Sequence, residues 1–229
     1  MTIVLVTRSV NPTLYLKSYE TTKNLPYERI REKHFKGGQD VALRYLISLF
    51  KYNVDWVVNI DEDAFVFNTD RIVKLIDYMD KEGYVFCGMP DGGVVRERQH
   101  NPIIPNAFFN IFNVKRVQIN LKAIYKQEFK NDLCEFLPRE LMKDGLLYEW
   151  DFREKYYCLF FWLLRMGYKR LYLNGYEHSD GISTILQDHE GIDFLIHTWC
   201  ARTYEIESGQ TQRINKAFDY CLGRKYHYA

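Results

Sequence analysis

Three carboxylates stand in a row at Asp61-Glu62-Asp63. They follow a mostly apolar run, Trp56 to Ile60, whose length and β-branched content are those of a buried strand. After them the chain turns apolar again from Ala64 to Phe67. Like charges held between two segments that seek burial are in conflict, because leaving them buried and unpaired costs on the order of several kcal/mol each. A hard divalent cation at the strand end resolves the conflict. Oxygen donors of this kind suit Mg2+ or Mn2+, particularly where substrate phosphates complete the shell. A solvated acidic turn between two strands is the alternative that an Asp-x-Asp by itself allows.

Other residues able to do chemistry are spread along the chain. Glu149 and Asp151 precede an apolar helix expected from about Phe152 to Met166, at the end where a helix dipole favours a carboxylate. Asp151 reads as a general base or as the N-cap, and the two roles are compatible. Near the end of the chain, Phe194-Leu195-Ile196 runs into His197-Thr198-Trp199, and Arg202 follows. A lone His in such a place is commonly a hydrogen-bonded core residue. A stacking aromatic and a guanidinium beside it suit a nucleotide diphosphate. The polar turn Thr7-Arg8-Ser9-Val10-Asn11 is a candidate nucleotide contact or an ordinary connection. Gly37-Gly38-Gln39-Asp40 would bring backbone amides to an anion, or serve only as a helix entry capped by Asp40.

The elements that must position these residues alternate between strand and helix. Thr2 to Val6 reads as a strand and Leu14 to Asn24 as a helix, which is an α/β opening. In open α/β sheets, ligands bind beyond the carboxyl ends of the strands. Tyr27 to Phe35 reads as an edge strand and Val41 to Lys51 as a helix. A further helix runs from Arg71 to Lys81, entered through Thr69-Asp70 and stopped by Gly83, with a strand from Tyr84 to Gly88 after it. Strand, helix, strand over this span predicts a βαβ unit with parallel pairing. Asp91 to Pro105 reads as a long loop. Ala107 to Asn113 reads as a strand whose Asn110 and Asn113 serve sugar hydroxyls or a turn. Gln118 to Met142 is helical or irregular, with a break at Leu137-Pro138. Tyr168 to Leu173 is a short strand, and His178 to Thr184 and Asp188 to Gly191 are polar, glycine-hinged turns.

With 229 residues and a hydrophobic fraction of 47%, the chain is expected to be one domain, 1–229, with about 205–229 as a peripheral tail. A net charge of +1, from 31 basic and 30 acidic residues, argues against nucleic acid as a partner. The five cysteines are scattered and odd in number, which predicts reduced thiols rather than a disulfide framework or a zinc site. No signal peptide is read in Thr2 to Val6, which is short and followed by Arg8. The longest apolar run, Tyr156 to Leu164, is too short for a transmembrane segment. A cytoplasmic protein is therefore expected. Its cationic, aromatic end, Arg224 to Tyr228, either frays or makes peripheral contact with the inner face of a membrane.

In their order, these features resemble the GT-A class of nucleotide-sugar glycosyltransferases: a first βα turn, an Asp-x-Asp after a central strand, a carboxylate opening a late apolar helix, and a His before Trp. The stretch Asp151 to Leu173, followed by Asp180-Gly181-Ile182-Ser183 and His197-Thr198-Trp199, is similar to bacterial and large-virus enzymes that build surface glycans. The resemblance spans nearly the whole chain. It implies a Rossmann-like α/β fold with a central, mostly parallel sheet flanked by helices. It also implies metal-dependent transfer of a sugar from a nucleotide-diphosphate donor, UDP-sugar favoured, to a glycan, a lipid-linked glycan or another hydroxyl acceptor.

By the resemblance, Asp63 binds Mn2+ or Mg2+ directly, Asp61 binds the ribose or the metal through water, and His197 is a third ligand. Asp151 is the candidate base of an inverting enzyme and Glu149 its reserve. Thr7, Arg8 and Asp40 are assigned to the nucleotide pocket, Arg202 to the phosphates, and the Asp91 to Pro105 loop to closure over the donor. The chain departs from the commonest pattern at the base motif, where Lys155-Tyr156 stands in place of Glu-Asp. The base and the stereochemical outcome therefore stay open. Three other readings stand beside this one. A metal-dependent nucleotidyltransferase would carry a Gly-rich, basic loop that is missing after Val6. A metal phosphohydrolase would need more His and Asp ligands. A sugar-binding scaffold of the same fold would bind without turnover.

Overall fold

The continuous apolar run of the first residues forms strand β1 (Ile3–Arg8), which sends Val4 and Val6 into one core layer and Leu5 into the other. The strand runs to Arg8, beyond the expected Val6, because pairing with β2 (Glu28–Glu32) continues through Arg8. Structure is described here for residues 1–37, 40–91, 94, 101–117 and 154–225 of a computed structural model. Among the described residues, the central sheet has six strands in the order β2-β1-β3-β8-β5-β9. Its other members are β3 (Trp56–Ile60), β5 (Phe86–Gly88), β8 (Phe109–Asn113) and β9 (Arg170–Tyr172). Pairings β1–β2, β1–β3 and β5–β9 are parallel, and β8 is antiparallel to both of its neighbours. The fold is α/β, with a mostly parallel central sheet flanked by helices.

The helices cover both faces. On one side lie α2 (Val41–Ser48), which continues as a 3-10 turn over Leu49–Lys51, and α4 (Tyr157–Arg165). On the other lies α3 (Asp70–Glu82), whose Ile72, Leu75, Ile76 and Met79 are buried and which ends at Gly83 with φ 77°. Burial on both faces explains why the central strands read as continuous apolar runs rather than alternating ones. Helix α1 (Pro12–Thr22) starts earlier than its apolar residues suggest. Asn11 caps it by accepting from the Thr13 and Leu14 amides, and Pro12 suits the first turn.

Several expectations are corrected by long-range pairing. The βαβ unit around α3 does not pair its strands directly, because β8 inserts between β3 and β5. The Asp91 to Pro105 loop is in part an antiparallel ribbon of β6 (Pro90–Asp91) and β7 (Asn101–Pro105). Helix α4 begins at Tyr157, with Tyr156 at the N-cap position, rather than at Phe152. Asp40 makes no side-chain capping bond to α2 and pairs instead with Arg44 at 3.2 Å.

A second sheet, unforeseen in the sequence, has the order β10-β11-β12-β4 and is antiparallel throughout. It comprises β4 (Ala64–Val66), β10 (Gly175–Glu177), β11 (Thr184–Gln187) and β12 (Asp193–His197). Arg71 of α3 pairs with Asp188 and Glu190 in the β11–β12 turn and ties this sheet to the helix. The polar stretch after Glu205 forms α5 (Ser208–Lys225), whose Ile214, Ala217 and Cys221 are buried with Leu14, Phe65 and Ile196. The readings made for Gln118 to Met142, Glu149, Asp151 and Cys134 lie outside the described residues. Among the described residues no helix is long and apolar enough to cross a membrane.

Candidate metal centre

Strand β3 ends at Ile60, and the chain then turns tightly. The Asp61 amide donates to the Phe108 carbonyl at 2.8 Å, and the Ala64 amide donates to the Asp61 carbonyl at 3.2 Å. This turn leads straight into β4. There the register sets His197, the last residue of β12, opposite Ala64. Thr198 secures the junction, donating both its amide and its hydroxyl to the Asp63 carbonyl at 3.0 Å. Backbone pairing alone therefore delivers His197 to the acidic turn.

The result is a cluster in which one ligand atom each from Asp61, Asp63 and His197 lies within 4.8 Å of the others. Nε2 of His197 is 3.3 Å from Oδ1 of Asp63. The imidazole lies between two aromatic rings, with Phe108 stacked on it at 4.2 Å and 9° and Trp199 at 4.2 Å and 53°. Asp63 and His197 are buried, whereas Asp61 is half-buried and gives the cluster an open side. The Nδ1 atom of His197 is buried without a hydrogen-bond partner. Two carboxylate oxygens and one imidazole nitrogen form a donor set that fits a divalent cation.

The local electrostatics reflect the same crowding. Burial, reinforced by the charge of Asp63, raises the Asp61 carboxyl, and Arg8 opposes the shift. At Asp63 burial pushes upward too, but the charge and hydrogen bond of His197 outweigh it and hold this carboxyl low. Glu62 does not join the cluster. It is buried and turns toward the segment after β1, where Oε2 accepts from the Val10 and Asn11 amides at 2.9 Å and Oε1 from Asn11 at 3.2 Å. Burial and the charge of Asp61 push its carboxyl up to about 7 in spite of these bonds.

The remaining sequence-expected residues divide by position. Arg8 is half-buried at the end of β1, within the field of Asp61 and 6.0 Å from the Tyr45 ring centroid. The Thr7 hydroxyl is fully buried and accepts from Arg29 at 2.8 and 3.1 Å, so it faces the interior. Asp40 is exposed beside Arg44, and Arg202 is exposed on the 3-10 turn Ala201–Thr203. Neither is brought into the metal cluster. Asp151 and Glu149 lie outside the described residues.

The structure adds Tyr45, Asn59 and Phe108, which the sequence did not single out, and gives Asn110 and Trp199 their partners. Tyr45 donates to Oδ1 of Asn59 at 2.6 Å, and Asn59 donates to the Ala107 carbonyl at 2.6 Å and to Asn110 at 3.2 Å. This network fixes β3 to β8 just below the acidic turn. Trp199 and Cys200 both have positive φ, 57° and 61°. That strained reversal folds Trp199 back over His197, and its indole donates to the Thr184 hydroxyl at 3.1 Å. Phe108, on the loop before β8, carries no sequence signal beyond being aromatic.

No protein-family model matches the chain, and no curated protein sequence matches it. Several solved structures are similar at low identity. One is a mannosyltransferase from Pyrobaculum calidifontis in complex with GDP-Man and Mn2+, at 11% identity and a TM-score of 0.34, covering 48% of this chain and 44% of that one. Another is CMP:2-keto-3-deoxy-manno-octonic acid synthetase complexed with CTP, at 11% identity and a TM-score of 0.40, covering 80% and 93%. A third is mouse xyloside xylosyltransferase 1, at 12% identity and a TM-score of 0.36, covering 70% and 60%.

Proposed function

We propose that this chain is a metal-dependent glycosyltransferase that moves a sugar from a nucleotide-diphosphate donor, UDP-sugar favoured, to a hydroxyl of a glycan or lipid-linked glycan. One observation carries the reading. Asp61, Asp63 and His197 converge beyond the carboxyl end of a central strand in an α/β sheet, each offering one ligand atom within 4.8 Å of the others. These three residues would hold Mn2+ or Mg2+. The ion's chemistry there is to stabilise the negative charge that grows on a departing diphosphate.

The other roles belong to the chain itself. Arg8, at the end of β1 and within the field of Asp61, is assigned to the nucleotide part of the donor. Phe108 and Trp199 hold the His197 ring in place and keep water from its faces. Asp151 is assigned as the base that takes the acceptor hydroxyl proton, with Glu149 in reserve. Arg202 is assigned to the donor phosphates.

Calorimetric titration of UDP, GDP and dTDP, with Mn2+ and after chelation, tests the reading. Metal-dependent binding of one nucleotide is the expected result. A folded protein that binds none of them overturns it. Incubation with the matching nucleotide sugar and a hydroxyl acceptor then tests glycosyl transfer, which releases the nucleoside diphosphate, and a parallel incubation with the nucleoside triphosphate and a sugar or sugar phosphate tests nucleotidyl transfer, which releases pyrophosphate.

A further inference from the structure

We propose that Glu62, the middle carboxylate of the acidic turn, is a positioning residue that keeps the turn after β1 in register with the metal ligands on either side of it. The proposal rests on the reading of that turn as the nucleoside contact. Three observations bear on it.

The first is geometric. Asp61 and Asp63 converge on His197, while the intervening Glu62 reaches the backbone of the preceding loop. Its carboxylate takes two consecutive amides, Val10 and Asn11, so it fixes the orientation of the peptide between them as well as its distance. The second is continuity. Asn11 caps α1 through the Thr13 and Leu14 amides and donates its side-chain amide to Glu205, just beyond the His197 and Trp199 reversal. The metal ligands, the turn, α1 and the segment after β12 are thus joined through Glu62 and Asn11.

The third is energetic. Val10 is 58% exposed, so the turn lies at the protein surface. Glu62, by contrast, is 6% exposed and stands between two further carboxylates. A neutral side chain would fold there at lower electrostatic cost. What the carboxylate supplies is order in the turn before a ligand arrives, and preorganisation of this kind appears as affinity for whatever the turn touches.

The test separates the two ends of the ligand. Wild type, Glu62→Ala and Glu62→Gln are titrated with inorganic pyrophosphate and with UDP, GDP and dTDP, all in the presence of Mn2+. The reading is the ratio of nucleotide affinity to pyrophosphate affinity. Glu62→Ala is expected to leave pyrophosphate affinity within about twofold of wild type and to lower the ratio about tenfold, the scale of one ordered polar contact. Glu62→Gln is expected to restore most of the ratio, since its amide oxygen can still accept from both amides. An unchanged ratio in Glu62→Ala overturns the proposal. So does an equal loss of pyrophosphate and nucleotide binding, which would place Glu62 among supports of the metal ligands alone, or a Gln variant as poor as the Ala one. A wild-type protein that binds pyrophosphate with Mn2+ but shows no gain from any nucleoside removes the turn's assignment and the proposal with it. A wild-type protein that binds neither removes the transferase reading itself.

Discussion

His197 and Asp63 lie 3.3 Å apart because His197 occupies the register position opposite Ala64 on the strand that follows the acidic turn. Their meeting does not depend on a flexible side chain searching for a partner. The backbone ladder between β12 and β4, closed by the two bonds from Thr198 to the Asp63 carbonyl, places both residues.

The first prediction concerns this pair. Asp63→Ala and His197→Ala should each weaken Mn2+-dependent nucleotide binding by at least about tenfold, the scale found for perturbed metal sites. Calorimetry in Mn2+ and in chelator measures it. Circular dichroism confirms that the variants fold. Full metal-dependent binding by either variant would remove that residue from the ligand set.

Metal addition should also stabilise the fold. An ion that binds only the native state adds about 2.7 kcal/mol at a hundredfold excess over its Kd, which is a rise in Tm of about 5–10 °C for a chain of this size. Thermal unfolding with Mn2+ and after chelation checks this. The rise should vanish in Asp63→Ala.

The wall of the site can be tested without touching a ligand. Phe108 is 1% exposed and stacks on His197. Phe108→Ala should cost about 3–5 kcal/mol in denaturant unfolding, as expected for emptying a buried aromatic site. It should also lower Mn2+ affinity by freeing the imidazole. Phe108→Leu should recover most of the stability and less of the affinity.

Asp151→Asn should spare nucleotide binding and abolish transfer, with Glu149→Gln as the comparison. A transfer assay beside calorimetry reads both. Retention of full activity by Asp151→Asn would show that another group takes the proton.

A pH dependence follows from Asp180, which is not one of the three clustered ligands. Burial raises its carboxyl, but hydrogen bonds from the Ser183 side chain and amide, the Ile182 amide and Arg213 outweigh that and lower it to about 2. Its folded value lies below its unfolded value. The stability it contributes is therefore present above the unfolded carboxylate range near 3.8 and is lost as pH falls through about 2. After allowance for solvent screening the contribution is about 1 kcal/mol. Urea unfolding of wild type and Asp180→Asn should differ by about that much at pH 6 and converge toward pH 2. A constant gap across this range would assign the loss to geometry rather than charge.

Much of the scaffold was legible in the sequence for local reasons. The run Trp56 to Ile60 is buried on both faces, and α3 carries a buried stripe at helical spacing with a left-handed glycine at its end. These signals act over a few residues. The second sheet was not legible, because β4, β10 and β11 are only three or four residues long and β11 borders a polar turn. Glu62 was read as one of three equivalent carboxylates. Its different role depends on the Val10 and Asn11 amides, which no local pattern indicates.

By itself the sequence determined that an acidic turn ends a buried strand, that a His sits at the end of a late apolar run, and that strands and helices alternate around them. Charge density and hydrophobic period are properties of the chain alone. Only the tertiary structure decided which carboxylates face His197 and which one faces the backbone, that β8 separates β3 from β5, and that Phe108 and Trp199 enclose the imidazole. Those outcomes depend on strand register and on a strained reversal at Trp199 and Cys200. Both are set by contacts between residues far apart in the chain, whose pairing energies no local window contains.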